Sequence, residues 1–331
     1  MTDTVTPFAE ARARRALALT GLEPHVALTR ADSVTNEVFL SSEHVIRVNR
    51  KPTGRLHREA ALCESLPERP WAPRVVAHGY EVGLDYLVAR RRPGATLARW
   101  WPMMTRAQRR DAVEQLAAAL GELHQIACPA DLTDLHTNPQ LLDLRAPLPL
   151  LGIFGALDRL RTRRGIDAGL LRACEELLVA TGDAVVDRQP HGLVHGDLSF
   201  ENVLWDGSEL TGLLDFEWSR TAPADLDLDV LLRFCAHPGA HLPSRRQDEL
   251  CAADLEELPG WLRAAYPALF AHPRLLDRLR IYDLGFNVRE LVLCRPFATK
   301  AALPPLHPHR RLRQLLDGLS HLDDLHDRGL V

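Results

Sequence analysis

Over the first quarter of the chain, apolar residues gather in short runs split by polar loops; beyond it they recur every three or four positions. Residues 8–20 predict an Ala/Arg-rich amphipathic helix. Val26-Ala27-Leu28-Thr29 and Asn36-Glu37-Val38-Phe39-Leu40 predict a strand pair around a polar loop, and Val45-Ile46-Arg47-Val48 a third strand. Leu56, Ala60, Cys63 and Leu66 keep helical spacing. Val75-Val76-Ala77 and Tyr86-Leu87-Val88-Ala89 predict two further strands. Residues 22–92 therefore predict a small sheet with one inserted helix. Pro93-Gly94 breaks the pattern, so a boundary between two lobes, 1–92 and 93–331, is expected there.

The rest of the chain reads as helical. Val113, Leu116, Leu120 and Leu123 form a stripe on a helix ending near His124. Further helices are predicted at 157–161, 170–180, 228–236, 261–266 and 275–294. Leu312, Leu315, Leu316, Leu319 and Leu322 predict a last helix over 312–325. One β feature interrupts this half. Gly192-Leu193-Val194-His195 ends as a strand would. Asn202-Val203-Leu204-Trp205 and Leu210-Thr211-Gly212-Leu213-Leu214-Asp215 flank the turn-forming Asp206-Gly207-Ser208-Glu209. The chain holds no internal repeat and no low-complexity tail.

Folding those two runs about their turn brings Asn202 close to Asp215, and the loop 196–201 carries Asp197 beside them. A carboxylate that accepts a hydroxyl proton, plus an amide oxygen and a second carboxylate that hold Mg2+, is the set phosphoryl transfer requires. The bland alternative is a hairpin whose polar residues cap turns; the three together at these offsets favour the chemistry.

His195-Gly196-Asp197-Leu198-x-x-x-Asn202-Val203-Leu204, followed by Leu214-Asp215-Phe216-Glu217, resembles the catalytic signature of the aminoglycoside phosphotransferase and choline kinase superfamily. The resemblance runs from about Leu28 to the last helices. It implies an α+β, bilobal protein-kinase-like fold: a small β-rich N-lobe with one inserted helix and a larger, mostly helical C-lobe. It implies that Asp197 is the catalytic base and that Asn202 and Asp215 are Mg2+ ligands. Asp227, in Asp227-Leu228-Asp229, matches a position that supports the catalytic loop, although the third residue departs from the family's Asp-Leu-Ala. His195 is expected to pack behind the loop rather than react.

The nucleotide side departs further from protein kinases. No glycine-rich loop is present; Asp32-Ser33-Val34-Thr35-Asn36 stands in its place, where backbone amides and the hydroxyls of Ser33 and Thr35 could donate to phosphate. Arg47 occupies the position of the usual lysine, with Glu59 twelve residues on as its expected partner; Lys51 is the alternative cation. The expected nucleotide is ATP, with GTP open. By resemblance the hinge is 86–94, and the backbone around Arg90–Arg92 would offer the base an acceptor and donors.

Charge and composition narrow the partners. The formal net charge of −4 gives no nucleic-acid footprint, and 46% hydrophobic with 25% charged residues is ordinary for a globular protein. Residues 1–100 carry 15 Lys+Arg against 11 Asp+Glu, whereas 191–260 carry 14 Asp+Glu against 4 Arg. A basic first lobe suits a polyphosphate and an acidic second lobe suits a cationic acceptor, unless those acids cap helices or face water. Cys63, Cys128, Cys174, Cys235, Cys251 and Cys294 lie scattered without metal-site spacing. No apolar run approaches a membrane span and no signal-peptide pattern opens the chain, so a cytoplasmic enzyme, monomer or homodimer, is expected.

Only 216–226 separate Asp215 from Asp227, with no Ala-Pro-Glu downstream, which leaves no room for a peptide-binding activation segment. A small hydroxyl substrate is therefore expected. Glu217, Trp218, Asp225 and Glu290 are candidate contacts for it, with Asp229, Asp248, Glu249, Asp254, Glu256, Glu257 and Asp283 as further acids of that lobe. An aminoglycoside or related amine-bearing antibiotic is the leading acceptor. Choline, homoserine, ketosamines and peptide antibiotics stay open, as does a catalytically silent scaffold.

Overall fold

The computed structural model describes residues 7–33, 36–49, 51, 53–81, 83–127, 141–186, 191–295 and 303–331. Cys128 and Thr35 lie outside these residues. The N-terminal lobe is a five-stranded antiparallel sheet in the order β1-β2-β3-β5-β4. Its strands are β1 (Thr29–Ala31), β2 (Asn36–Leu40), β3 (His44–Asn49), β4 (Val75–Glu81) and β5 (Leu84–Arg90). β1 begins three residues later than the pattern predicts. β4 and β5 run longer and close as a hairpin.

Alternation along β3 explains how this lobe is sandwiched. Ile46 and Val48 point to one face, where Ala9, Ala13, Ala16 and Leu17 of helix α1 (Pro7–Leu19) cover them. Arg47, between them, is thereby turned to the face occupied by helix α2 (Arg55–Ser65). There Leu56 and Ala60 of α2 pack on Leu87.

The chain then crosses to the helical lobe through β6 (Ala95–Thr96). Gly94 adopts φ +97° and lies so near Trp205 that a Cβ would meet its carbonyl oxygen at 2.2 Å. The crossing needs glycine for both reasons. Helices α3 (Leu97–Trp100) and α4 (Arg106–Leu123) follow, the latter started by a capping box of Thr105 and Gln108. Next come α5 (Leu151–Arg161), α6 (Ala168–Thr181), α7 (Asp225–Ala236), α8 (Leu258–Ala265) and α9 (Leu275–Leu293). Leucines from all of these share one core with the hairpin β8 (Val203–Trp205) and β9 (Leu210–Leu213).

Two predictions for this half need correction. The helix expected over 312–325 is two helices, α10 (Pro308–Leu316) and α11 (His321–Asp327). Gly318 at φ +67° ends the first, and Ser320 with Asp323 caps the second, so Leu312, Leu315 and Leu322 reach the same core while Leu319, in the break, is exposed. The hairpin is also not the lobe's only β structure. β7 (Gly192–Val194) pairs with β10 (Arg220–Ala222), and β6 pairs with β8. Strands of two or three residues leave no periodic trace. Among the described residues, no helix is long and apolar enough to cross a membrane.

Candidate active site

The loop after β7 is fixed from behind by Asp227, in the first turn of α7. Its Oδ2 accepts from the backbone N–H of His195 at 2.8 Å, and its Oδ1 from that of Gly196 at 2.7 Å. His124 Nε2 lies 3.0 Å from the same carboxylate. Burial opposes the charge of Asp227, but the His124 bond and the backbone donors outweigh it and lower its pKa. His195 is fully buried: its Nε2 faces the Leu214 carbonyl at 2.8 Å, and its Nδ1 meets the N–H of Asp197 at 3.3 Å. Burial lowers the pKa of His195, so the ring acts as a neutral strut between the loop and the residue that follows β9. Gly196, at φ +79°, passes so close to Trp218 that a Cβ would meet that residue's carbonyl oxygen at 2.4 Å.

Asp229, where the family pattern has alanine, is buried and paired with Arg233, whose Nε lies 3.3 Å from Asp283. The departure is thus absorbed within the helices.

Asp197, Asn202 and Asp215 all line one cleft between the lobes, of about 730 Å3. Asn202 donates to the Asp197 carbonyl at 2.7 Å, and the N–H of Leu214 donates to the Asn202 carbonyl at 2.8 Å. Hairpin pairing therefore sets Asn202 beside the segment that ends in Asp215. Asp215 adopts φ 64°, the one left-handed non-glycine among the described residues, which marks it as a constrained position. Burial and then the neighbouring Asp215 push the Asp197 carboxyl up to about 7, against the pull of Arg233.

Arg47 reaches Asp215 from the opposite lobe. Its Nη1 contacts Glu59 and its Nη2 stands 3.0 Å from Asp215 Oδ1. Burial disfavours the Arg47 charge, yet Asp215 and Glu59 together raise its pKa above the usual arginine value. Glu59 shifts upward through burial, with Arg47 pulling the other way. Glu59 Oε1 also accepts from the N–H of Phe216 at 3.1 Å. Two more α2 residues grip the same turn. Arg58 donates to the carbonyls of Glu217 at 2.8 Å and Ser219 at 2.6 Å, while Arg55 pairs with the Glu217 carboxylate.

The donor set fits a hard divalent cation. Asn202 Oδ1 carries no hydrogen bond among the described residues, and Asp215 adds a carboxylate facing the same cleft. Glu59 and Glu217 bring further carboxylate oxygens within 4.8 Å of Asp215, although each already faces an arginine.

The other candidates fall on both sides of the cleft wall. Ser33, Arg90, Arg92, Glu217 and Trp218 line it. The hinge offers fewer donors than expected: the N–H groups of Arg90 and Arg91 are taken by the carbonyls of Arg74 and Glu43, each at 2.8 Å. Arg90 pairs with Glu43 at 2.9 Å and Arg92 donates to the Ala72 carbonyl at 2.7 Å, so their side chains serve the hinge itself. Trp218 is held between Arg55 and Arg289, 5.8 and 4.9 Å from its ring centre.

Asp225 and Glu290 do not line the cleft. Asp225 is buried against Arg278 and accepts from the Tyr282 hydroxyl at 3.0 Å, and Glu290 pairs with Arg289 at 2.7 Å. Most of the acidic surplus of this lobe is likewise engaged: Asp229 by Arg233, Glu249 by Arg246 and Glu257 by Arg106, while Asp254 accepts from the N–H of Cys251.

Sequence reasoning missed the apolar lining of the cleft, Val38, Leu40, Val45, Leu204 and Leu213, because such residues in strands read as core. It also missed Arg99 and Arg245, arginines on short helical segments, which meet at Asp32 on the β1–β2 loop.

A sequence model of the phosphotransferase enzyme family matches residues 28–267. The chain belongs to this family. An aminoglycoside 3'-phosphotransferase from Streptomyces ribosidificus is 30% identical over 163 residues, which cover 49% of the chain and 58% of that relative. The chain thus spans little more than half the length of that curated relative. Two solved family structures share the fold. The streptomycin–ATP complex of APH(2'')-IIa has a TM-score of 0.59 at 18% identity, over 80% of this chain and 85% of that one. ADP-bound APH(2'')-Ib has a TM-score of 0.59 at 15% identity, over 90% and 94%. The bilobal kinase-like architecture is therefore common to all three.

Proposed function

We propose that this phosphotransferase moves the γ-phosphoryl group of ATP to a hydroxyl of a small molecule. The observation that carries the reading is the meeting of Asp197, Asn202, Asp215 and Arg47 around one cleft. In this reading Asp197 orients the acceptor hydroxyl and takes its proton, with positioning as its larger contribution because the transition state is loose. Asn202 and Asp215 would hold Mg2+, which supplies charge neutralisation on the phosphate oxygens when bound. Arg47 fixes Asp215 and adds positive charge beside the phosphates. The apolar strips of Val38, Leu40 and Val45 above and Leu204 and Leu213 below suit a flat purine, ATP or GTP.

An aminoglycoside or related amine-bearing compound is the first candidate acceptor, supported by the names of the curated relative and of the solved neighbours. One observation favours the metabolite reading instead. Several second-lobe acids meant for a cationic acceptor pair with arginines of the chain instead, and Arg99 and Arg245, both paired with Asp32, line the cleft. An amino alcohol, a homoserine-like hydroxy acid or a ketosamine suits that mixed lining better than a polycation does. Mg2+-dependent ATP consumption, measured against aminoglycosides, aminocyclitols and small hydroxy metabolites, separates the two. Stimulation by one class identifies the acceptor; nucleotide binding without turnover across both contradicts the reading.

A further inference from the structure

On the outer side of the N-terminal lobe, away from the cleft, two histidines face each other nitrogen to nitrogen. His57 Nδ1 of α2 stands 2.9 Å from His78 Nδ1 of β4, with ring centres 4.7 Å apart. His57 is exposed and His78 half-buried, so the space around the pair opens to solvent.

An irregularity in β4 brings them together. The pairing with β5 shifts between Val75 and Ala77, which inserts one extra residue, Val76. In a regular strand Val75, Ala77 and Gly79 would share a face. With the bulge, His78 sits opposite Leu87, whose side chain packs on Leu56 and Ala60 of α2. The bulge therefore turns His78 toward α2. β4 is the edge strand of the sheet, so nothing from a further strand closes the site.

Glu64 favours one tautomer of His78. Its carboxylate lies 3.4 Å from His78 Nε2 and two helical turns beyond His57 on the same stripe of α2. A proton on Nε2, drawn toward Glu64, leaves Nδ1 as a lone pair. That carboxylate–imidazole arrangement orients histidine ligands in metal sites. The 2.9 Å spacing is that of a hydrogen bond between the two rings. It matches two bonds of about 2.05 Å at right angles, as in a tetragonal Cu2+ or Ni2+ site, whereas a tetrahedral Zn2+ needs about 3.3 Å, a small opening at the exposed His57 ring.

We infer that His57 and His78, with Glu64 behind them, form a binding site for a borderline transition-metal ion such as Zn2+, with water completing its coordination. The imidazole donors select Zn2+, Ni2+ or Cu2+ over Mg2+, which prefers oxygen. A bound ion would tie α2 to β4. Since α2 supplies Arg55, Arg58 and Glu59 to the turn around Asp215, the ion would fix the helix that holds this turn in register.

Calorimetric titration of the full chain with Zn2+, under saturating Mg2+ to occupy oxygen-donor sites, tests this. One Zn2+ per chain in the micromolar range is expected, with a raised melting temperature. His57→Ala and His78→Ala should each weaken binding at least about tenfold, and Glu64→Ala about tenfold, because the outer carboxylate orients its ligand. The three residues lie on the lobe's outer surface, and unchanged melting temperatures without Zn2+ would verify folding. Wild-type affinity in either histidine variant, or no Zn2+ binding at roughly millimolar concentration, overturns the site.

Discussion

Arg47 Nη2 lies 3.0 Å from Asp215 Oδ1, joining the third strand of one lobe to the end of the catalytic hairpin in the other. The guanidinium forks: its other arm holds Glu59 on α2. A lysine ammonium is a single point and cannot keep both contacts in that geometry. Arg47→Lys should therefore keep one carboxylate and release the other. Losing a charge-assisted hydrogen bond costs about 1.5–3 kcal/mol, so kcat/KM for ATP should fall roughly 10- to 100-fold. Steady-state kinetics at varied ATP checks this. Arg47→Ala leaves the buried Glu59 carboxylate without its cation and should cost about 3–5 kcal/mol of stability, read by urea denaturation.

The rear anchor of the catalytic loop gives a second test. Asp227 accepts two backbone N–H groups and faces His124, and it is almost fully buried. Asp227→Ala strands those donors and should lower unfolding free energy by about 2–5 kcal/mol. Gly196→Ala should also destabilise, because a Cβ would sit 2.4 Å from the Trp218 carbonyl oxygen on a left-handed backbone. Thermal melts of both variants should fall below wild type; a neutral Gly196→Ala would mean that the loop is not held as described.

Burial of Asp197 makes a stability prediction whose sign follows from linkage. Its carboxyl is pushed up to about 7 from an ordinary 3.8. The folded state therefore holds a proton that the unfolded state has lost between about pH 4 and 7. Stability is reduced as pH rises through that window, and the full cost, on the order of 4 kcal/mol as an upper bound, is present above it. Without divalent cations, Asp197→Asn should melt several degrees above wild type at pH 8, and the gap should close near pH 4. An equal gap at both pH values would show that the carboxyl is not shifted upward.

How much of this could be read from the chain depends on the distance over which each signal acts. Asp197, Asn202 and Asp215 were legible because a turn of four residues fixes their offsets, and Arg47–Glu59 because a strand and the following helix carry one residue each. The 312–325 helix misled because Leu312, Leu315 and Leu322 reach one core from both sides of Gly318, whose left-handed turn realigns α11. Asp225 misled because its partner Arg278 lies 53 residues away, on a helix whose apolar pattern says nothing about the charge it buries. Arg99 and Arg245 were invisible for the same reason: only folding brings both to Asp32.

The central claim, phosphoryl transfer at this cleft with Asp197 facing the acceptor, is tested most directly by Asp197→Asn. The measurement is Mg2+-dependent ATP turnover with the acceptor class that stimulates wild type, paired with ADP affinity. The account predicts a fall in kcat of about 100- to 10,000-fold while ADP affinity stays within about threefold. Turnover in Asp197→Asn equal to wild type would contradict it.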